Sequence, residues 1–429
     1  MAQFLNGVIS IGATPVVLLG AFLICFLGYA LGSIKIKGIC LGTAGVFLVA
    51  LLCGYLFTLE GLQNIPVIGR FYINGSGATA VENYGFLADI GLVLFVTAVG
   101  FIAGPNFFRN LKKNAKSYVP MGIVIILIGA AITVIFALIP GIGSDYSNGI
   151  LSGALTSTPA FSAAKQVAEN EGLVALGHAV AYPFGVIGVV LFVQIMPRIL
   201  KADMARECEL IRGDATAIDE AETKKAYKSN KQKKHVEFDE FGFAAFGLAI
   251  VLGILLGSIK IPLTANGFDG ACFSLGNTGG PLIVALLLGH FAHIGPVSMK
   301  IPDSTLKVFR ELGLMLFLIG AGVEGGVELV AQVQASEYGV MLVVYGLIAG
   351  VVMTLAPMIV GYFMGRRVFK LSLLNNLGSL TGGMTSTPAL GTLIGVSGTD
   401  DVAAAYASTY PIALVLIVLT SNLIGTFIA

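Results

Sequence analysis

Two short segments gather hydroxyls, glycines and a proline in a chain otherwise dominated by apolar runs: SGALTSTPAF at 152–161 and TGGMTSTPAL at 381–390. Pro159 and Pro388 have no N–H and cannot continue a helix, yet they suit the first turn of one. Thr158 and Thr387, immediately before them, carry the side chain that caps a helix N-terminus. Each motif therefore reads as the start of a short helix whose first N–H groups are unpaired and whose positive dipole end can face an anion. Thr156, Ser157, Thr385 and Ser386 add hydroxyls able to bond a carboxylate or an amine. Gly153, Gly382 and Gly383 permit a tight turn or the close approach of a second helix. This is chemistry for holding an anionic or zwitterionic small molecule. Close helix packing by small residues would explain one such motif; two at equivalent places favour a binding site.

Other polar groups take their meaning from these two. Tyr182–Pro183 and Tyr410–Pro411 fall on the apolar runs that follow the motifs, where the prolines can kink a helix beside the site. Lys165 is the cation of the first segment and Ile394 holds its place in the second, so Lys165 is either a charge partner or a side chain reaching for the membrane boundary. Glu324, in GAGVEGG, is the corresponding acid, matched by Ile102, and is either buried or near the outer boundary. Asp89 and Glu311 are expected at the starts of spans, where an acid is stabilised by the helix dipole. His290 and His293 have no third ligand nearby in the sequence, so no metal is expected, and no cofactor either. Nucleophile-elbow, zincin and P-loop patterns are missing from the sequence, so no enzyme is expected.

The elements that position these residues must be membrane helices. Hydrophobic residues make up 56% of 429 and charged ones 11%, against about a quarter charged in a soluble domain. Apolar runs at 14–32, 121–139, 184–200, 243–257, 340–364 and 411–428 are of the order needed to cross a bilayer as helix. The five cysteines are scattered as small core residues without disulfide or zinc spacing. The N-terminus lacks a signal-peptide pattern, so the first span is expected to stay.

The chain is also a duplication. LGYALGSIKIKG (27–38) returns as LGILLGSIKIPL (252–263), LGTAGVFLVALLCGY (41–55) as GNTGGPLIVALLLGH (276–290), and ADIGLVLFVTAVGFIAG (88–104) as RELGLMLFLIGAGVEGG (310–326). The expected domains are a membrane repeat at 1–200, a polar linker at 201–240 and a second repeat at 241–429. With basic clusters placed in the cytoplasm, each TSTP segment must begin and end on one side. Each half then holds about five spans plus one re-entrant hairpin or, alternatively, a broken crossing helix. The odd count inverts the second half, an all-α inverted-topology repeat of the secondary-transporter kind. It leaves the linker cytoplasmic and both termini outside.

The duplicated G-[AG]-[LM]-T-S-T-P-A-[LF] motif, the [DE]-[IL]-G-L-x-L-F segment and the two-half layout resemble the aspartate–alanine exchanger family of bacterial secondary transporters. The resemblance covers about 1–200 and 240–429. It implies exchange of amino acids or small carboxylates in a bacterial inner membrane, without the regulatory domains that many members carry between their halves. The architecture is also similar to that of symporters whose hairpins move substrate in an elevator motion. Sodium- or proton-coupled symport and a channel with re-entrant filter segments are the alternatives. The expected partners are the small anionic or zwitterionic substrate, the lipid bilayer and a second copy in a homodimer; nucleic acid is not expected.

Overall fold

In a bilayer each backbone N–H and C=O must find its partner within the protein, and for a chain this apolar helix is the local solution. A computed structural model describes residues 2–4, 9–11, 16–36, 39–40, 43–64, 71–73, 79–211, 238–262, 267, 272–335 and 339–428. The first half forms α1 (Val16–Ser33), α2 (Ala44–Phe57), α3 (Thr79–Ala137), α4 (Ser144–Ala154), α5 (Thr158–Val167) and α6 (Glu171–Ile199). The second forms α7 (Phe243–Gly257), α8 (Gly276–Phe291), α9 (Asp303–Ala335), α10 (Gly339–Phe363), α11 (Leu373–Gly383), α12 (Thr387–Ser397) and α13 (Val402–Phe427). The 59-residue α3 holds two crossings, 79–105 and 116–137, with Pro105 and Pro120 inside it. Seven segments are long and apolar enough to span, and the shorter apolar helices α2, α7 and α8 complete five crossings per half. Four two-stranded pairs of two or three residues per strand are the described β-structure.

Polar side chains set several helix starts. Asn170 Oδ1 accepts from Gly172 N and Leu173 N at 3.0 and 3.2 Å to open α6. Asp239 accepts from Phe243 N and Ala244 N at 2.7 and 2.9 Å to open α7. These N–H groups hold the exposed Asp239 carboxyl below its usual range. Several helices begin earlier than the apolar runs suggest, α6 at Glu171 and α13 at Val402. The first turn of α13, residues 402–405, is small and buried by other helices, so it needs little hydrophobicity of its own, while α6 is opened by the Asn170 cap. Asp89 and Glu311 do not sit at span starts, because α3 begins at Thr79 and α9 at Asp303, with polar and partly exposed first turns that extend each helix beyond its apolar run.

Glycines at helix crossings record the internal symmetry. A Cβ on Gly91 would meet the backbone of Phe317 and Gly313, and one on Gly313 that of Phe95 and Gly91. These four residues are repeat partners. Gly320 meets Tyr84 and Ala88, so the first crossing of α3 and α9 run antiparallel. The same exchange appears elsewhere: Gly54 meets Val323 where Gly289 meets Phe101, and Gly28 meets Val46 where Gly253 meets Pro281. An operation that reverses equivalent helices has its axis in the membrane plane, which makes this an inverted repeat. Two bundles result. The crossing bundle contains α1, α2, the first part of α3, α7, α8 and α9. The hairpin bundle contains the second part of α3, α4–α6 and α10–α13.

The TSTP segments are re-entrant hairpins, not broken crossing helices. Gly149 and Gly153 of α4 pack on Val174 and His178, so α4 and α6 run parallel and α5 must return between them. Asn170 N donates to Asp145 Oδ2 at 2.8 Å, which ties the two ends of the hairpin at one mouth. Gly378 and Gly382 pack on Val402 and Tyr406 in the same way, so α12 returns between α11 and α13. Of the linker at 201–240, residues 212–237 lie outside the described ones. Residues 204–211 are helical and touch the second hairpin, with Leu373 N donating to Glu207 Oε2 at 2.8 Å and Cys208 Sγ to Ser397 O at 3.3 Å.

Candidate functional site

Each hairpin tip is a helix end and a helix start joined by three residues, a C-cap, a turning residue and an N-cap. α4 closes with Thr156 N donating to Gly153 O at 2.9 Å and Ser157 N to Ser152 O at 2.8 Å. α11 closes with Thr385 N to Gly382 O at 3.1 Å and Ser386 N to Thr381 O at 2.9 Å. This pairing is the Schellman motif, whose turning residue is left-handed and is usually glycine. Here it is threonine, with φ of +52° at Thr156 and +50° at Thr385. The next residue is extended and becomes the N-cap. The caps are therefore Ser157 and Ser386, not Thr158 and Thr387, which are the first residues of α5 and α12. Ser157 Oγ accepts from Ala160 N at 3.3 Å. Ser386 makes no such bond, and its buried Oγ has no hydrogen-bond partner among the described residues. Pro159 and Pro388 lie in the first turns as expected; the Thr158 side chain lies outside those described.

The two tips meet. Thr156 Oγ1 lies 3.4 and 3.3 Å from the carbonyl oxygens of Met384 and Thr385, and Thr385 Oγ1 donates to Leu155 O. Leu155 and Met384 are the C-cap residues. A Schellman turn leaves its C-cap carbonyl without an intrahelical donor, and here the opposite hairpin approaches it with a hydroxyl. Thr385, Ser157 and Ser386 are buried in this clasp. Gly153 and Gly382 seat the hairpins, since a Cβ on either would run into the carbonyl of His178 or Tyr406, and Gly383 packs on Ile125.

Two cavities lie along the boundary between the bundles, and none of the TSTP residues is among those that line either one. One, of about 340 Å³, is lined by Phe161, Lys165, His178 and Tyr182 of the hairpin bundle and by Asp89 and Glu324 of the crossing bundle. Lys165 and Glu324 thus share one cavity, which the sequence alone did not establish. Lys165 Nζ sits 4.8 Å above the Phe161 ring. That ring stacks on His178 at 4.2 Å, and His178 lies 5.2 Å from Tyr182. Glu324 lies over Gly85, where a Cβ would be 3.5 Å from its carboxylate. Tyr410, the partner of Tyr182, is buried against Tyr406 at 5.2 Å and lines neither cavity. His178 was missed because it lies outside the motifs. The signal for it was an imidazole three residues before the Ala-Tyr-Pro sequence of α6.

The second cavity, about 530 Å³, lies at the opposite ends of the same helices and is lined among others by Ile102, His290, Lys307, Asp400 and Ala404. It is the two-fold image of the first: Ile102 stands for Glu324 and Lys307 for Gly85. Beside it Arg310 of α9 bonds Asp400, between α12 and α13, and its Nη2 lies 2.8 Å from Glu311 Oε1. Lys307 Nζ is 3.8 Å from Asp400. Among the described residues no three His, Cys, Asp or Glu side chains are grouped as metal ligands.

Comparison with known proteins adds to this geometry. A family model described as Predicted Permease Membrane Region (Asp-Al_Ex) matches residues 20–198 and 245–426. An uncharacterized transporter of Bacteroides fragilis is 28% identical over 95% of this chain and 97% of its own length. One of Rhodopirellula baltica is 28% identical over 91% and 96%, and one of Bacteroides thetaiotaomicron 27% over 94% and 97%. The alignment to the first runs over 555 positions, more than the 429 residues here, so that relative holds sequence this chain lacks. The family match takes in both membrane halves and passes over the join between them, and the chain belongs to this Asp-Al_Ex family of membrane permeases.

Proposed function

We propose that the chain is a secondary transporter that exchanges amino acids or small carboxylates across a bacterial inner membrane by alternating access. The observation that carries this reading is the meeting of two symmetry-related hairpin tips in a molecule whose two cavities lie at opposite ends of the same helices. An inverted repeat has two equivalent ways to pack its halves, and exchanging them turns each cavity into the other. Both cavities lie on the boundary between bundles, so an elevator-type slide of the hairpin bundle would open one and close the other. The relatives' description as transporters supports the reading.

Lys300, Lys307, Arg310, Arg366 and Lys370 sit toward the mouth of the second hairpin. By the positive-inside rule that face would be cytoplasmic, with the linker, and the 340 Å³ cavity and both termini would lie outside. The substrate would be held in the first cavity, which Phe161 and Lys165 of the first hairpin line, and pass to the tips as the hairpin bundle moves. The half-helix starts and Ser386 would serve an anionic group, and Lys165, Glu324 and Tyr182 its charges and shape. A homodimer would anchor the crossing bundle while the hairpin bundle moves. Asp89 and Glu324 in the outer cavity favour a second reading, in which a proton or sodium ion accompanies the substrate.

Counterflow in proteoliposomes tests this. Vesicles loaded with aspartate, alanine or succinate should take up labelled substrate faster than empty ones, without a sodium gradient. Uptake into empty vesicles that requires sodium or a proton gradient would replace exchange by symport. Flux insensitive to internal substrate and unsaturable would indicate a channel.

A further inference from the structure

The outer cavity contains a histidine whose hydrogen-bond polarity is fixed by its surroundings. His178 Nδ1 lies 2.8 Å from Ser152 Oγ. The Ser152 hydroxyl lies 2.7 Å from the Gly149 carbonyl, which can only accept. One hydroxyl proton cannot serve both contacts. It goes to Gly149, so Nδ1 carries a hydrogen and donates it to Ser152. In the neutral imidazole Nε2 is then left with a lone pair.

The second half of the chain provides an internal control. Thr381, the repeat partner of Ser152, makes the same back-bond, to Gly378 O at 2.8 Å. The place of His178 is held there by Tyr406: Gly153 packs on the carbonyl of one, Gly382 on that of the other. Tyr406 stacks on Tyr410 at the same 5.2 Å that separates His178 from Tyr182. The hydroxyl back-bond is thus common framework, and the imidazole is what the outer cavity adds. Lys165 is replaced by Ile394 and Glu324 by Ile102 in the same comparison. His178, Lys165 and Glu324 thus have no imidazole, amine or carboxylate at the equivalent places of the other half.

We propose that His178 is a specificity-determining residue of the outer cavity, its Nε2 accepting a hydrogen bond from an N–H of the substrate. This rests on the amino-acid or carboxylate reading above and narrows it. A carboxylate has no hydrogen to offer and meets the lone pair unfavourably, whereas a protonated amine offers three. Glu324 and Asp89, from α9 and α3, line the same cavity and add to the preference for a cationic donor; Lys165, from α5, is left to meet a carboxylate. The cavity would therefore take an amino acid and reject the dicarboxylate of the same carbon skeleton.

Aspartate and succinate differ by that amino group, and equilibrium binding of each to the purified full-length protein tests the assignment. The expected result is aspartate bound about 10- to 100-fold more tightly than succinate, the scale on which a site built for an N–H rejects an analogue without one. His178→Phe keeps a ring between Phe161 and Tyr182 but has no acceptor. It should lower aspartate affinity and leave succinate within about twofold, so that the preference collapses. His178→Gln, whose amide oxygen reaches the region of Nε2, should restore part of it. Ser152→Ala frees the ring to change tautomer and should reduce the preference without touching the cavity; it carries the test if His178→Phe fails to fold. A wild-type protein that binds both ligands equally, or a His178→Phe variant that keeps the wild-type ratio, overturns the assignment and leaves the transport reading standing. If aspartate, alanine and succinate all fail to bind the wild-type protein, the substrate reading falls and this inference with it.

Discussion

Thr156 and Thr385 sit where a β-branched residue is strained, at φ near +50°, at a cost of about 1–3 kcal/mol each. Glycine would relieve that strain, and only the hydroxyl's reach to the other hairpin accounts for threonine. Thr156→Gly should therefore be about 1 kcal/mol more stable than Thr156→Ala, while both lose the cross-tip contact. Thermal unfolding in detergent would show the order, and a glycine variant no more stable than the alanine one would remove strain from the account. The serines separate differently. Ser157→Ala removes a cap worth about 0.5–2 kcal/mol of stability. Ser386 caps nothing, so Ser386→Ala should leave stability near wild type and weaken substrate binding about tenfold, the value of one hydrogen bond to a charged group. If Ser386→Ala destabilises as Ser157→Ala does and binds normally, the second tip is a packing device. The motif was legible in the sequence, but its caps fell one residue earlier than the prolines suggest. Propensity gives no reason to put threonine in a left-handed turn; the reason is a carbonyl 229 residues away in the chain.

At the scale of elements, charge placement favoured hairpins but left a broken crossing helix open, and the parallel packing of α4 on α6 and of α11 on α13 decides for hairpins. What could not be foreseen is how closely each hairpin lies on the helix that follows it. Gly153→Ala and Gly382→Ala place a methyl against the His178 and Tyr406 carbonyls, and a rigid helix pair can move only by separating. Each should cost about 2 kcal/mol or more and lower transport more than binding. Gly395, with open space around it, is the control, since Gly395→Ala should change neither. The helix at 204–211 was also illegible, because its polar composition reads as solvated linker. Its Glu207 accepts from Leu373 N at the start of the second hairpin. Glu207→Gln should slow transport a few-fold with binding unchanged if this contact seats the hairpin, and equal turnover in proteoliposomes would show that the segment merely rests there.

For the whole molecule, the duplication fixed the architecture and concealed its asymmetry, because matching motifs say nothing about positions where the halves diverge. Arg310 corresponds to Ala88 and Glu311 to Asp89 in the repeat, so the arginine that ties the bundles beside the 530 Å³ cavity has no counterpart at the equivalent place of the other half. The Arg310 side chain is 8% exposed and joins α9 of the crossing bundle to Asp400 of the hairpin bundle. A sliding hairpin bundle must break that pair. Breaking a fully buried pair costs about 3–5 kcal/mol; Asp400 is 27% exposed, so water offsets part, and about 1–2 kcal/mol is the better expectation. Arg310→Gln should then shift the equilibrium between cavity-open states about 5- to 30-fold. In a cysteine-free background, a reporter at Ile102 reads the 530 Å³ cavity and one at Ala321 the 340 Å³ cavity. The variant should change the two labelling rates in opposite directions, and high salt should mimic it weakly in the wild type. Rates that change together would mean local loosening, and rates that do not change would mean that the pair holds no state in place.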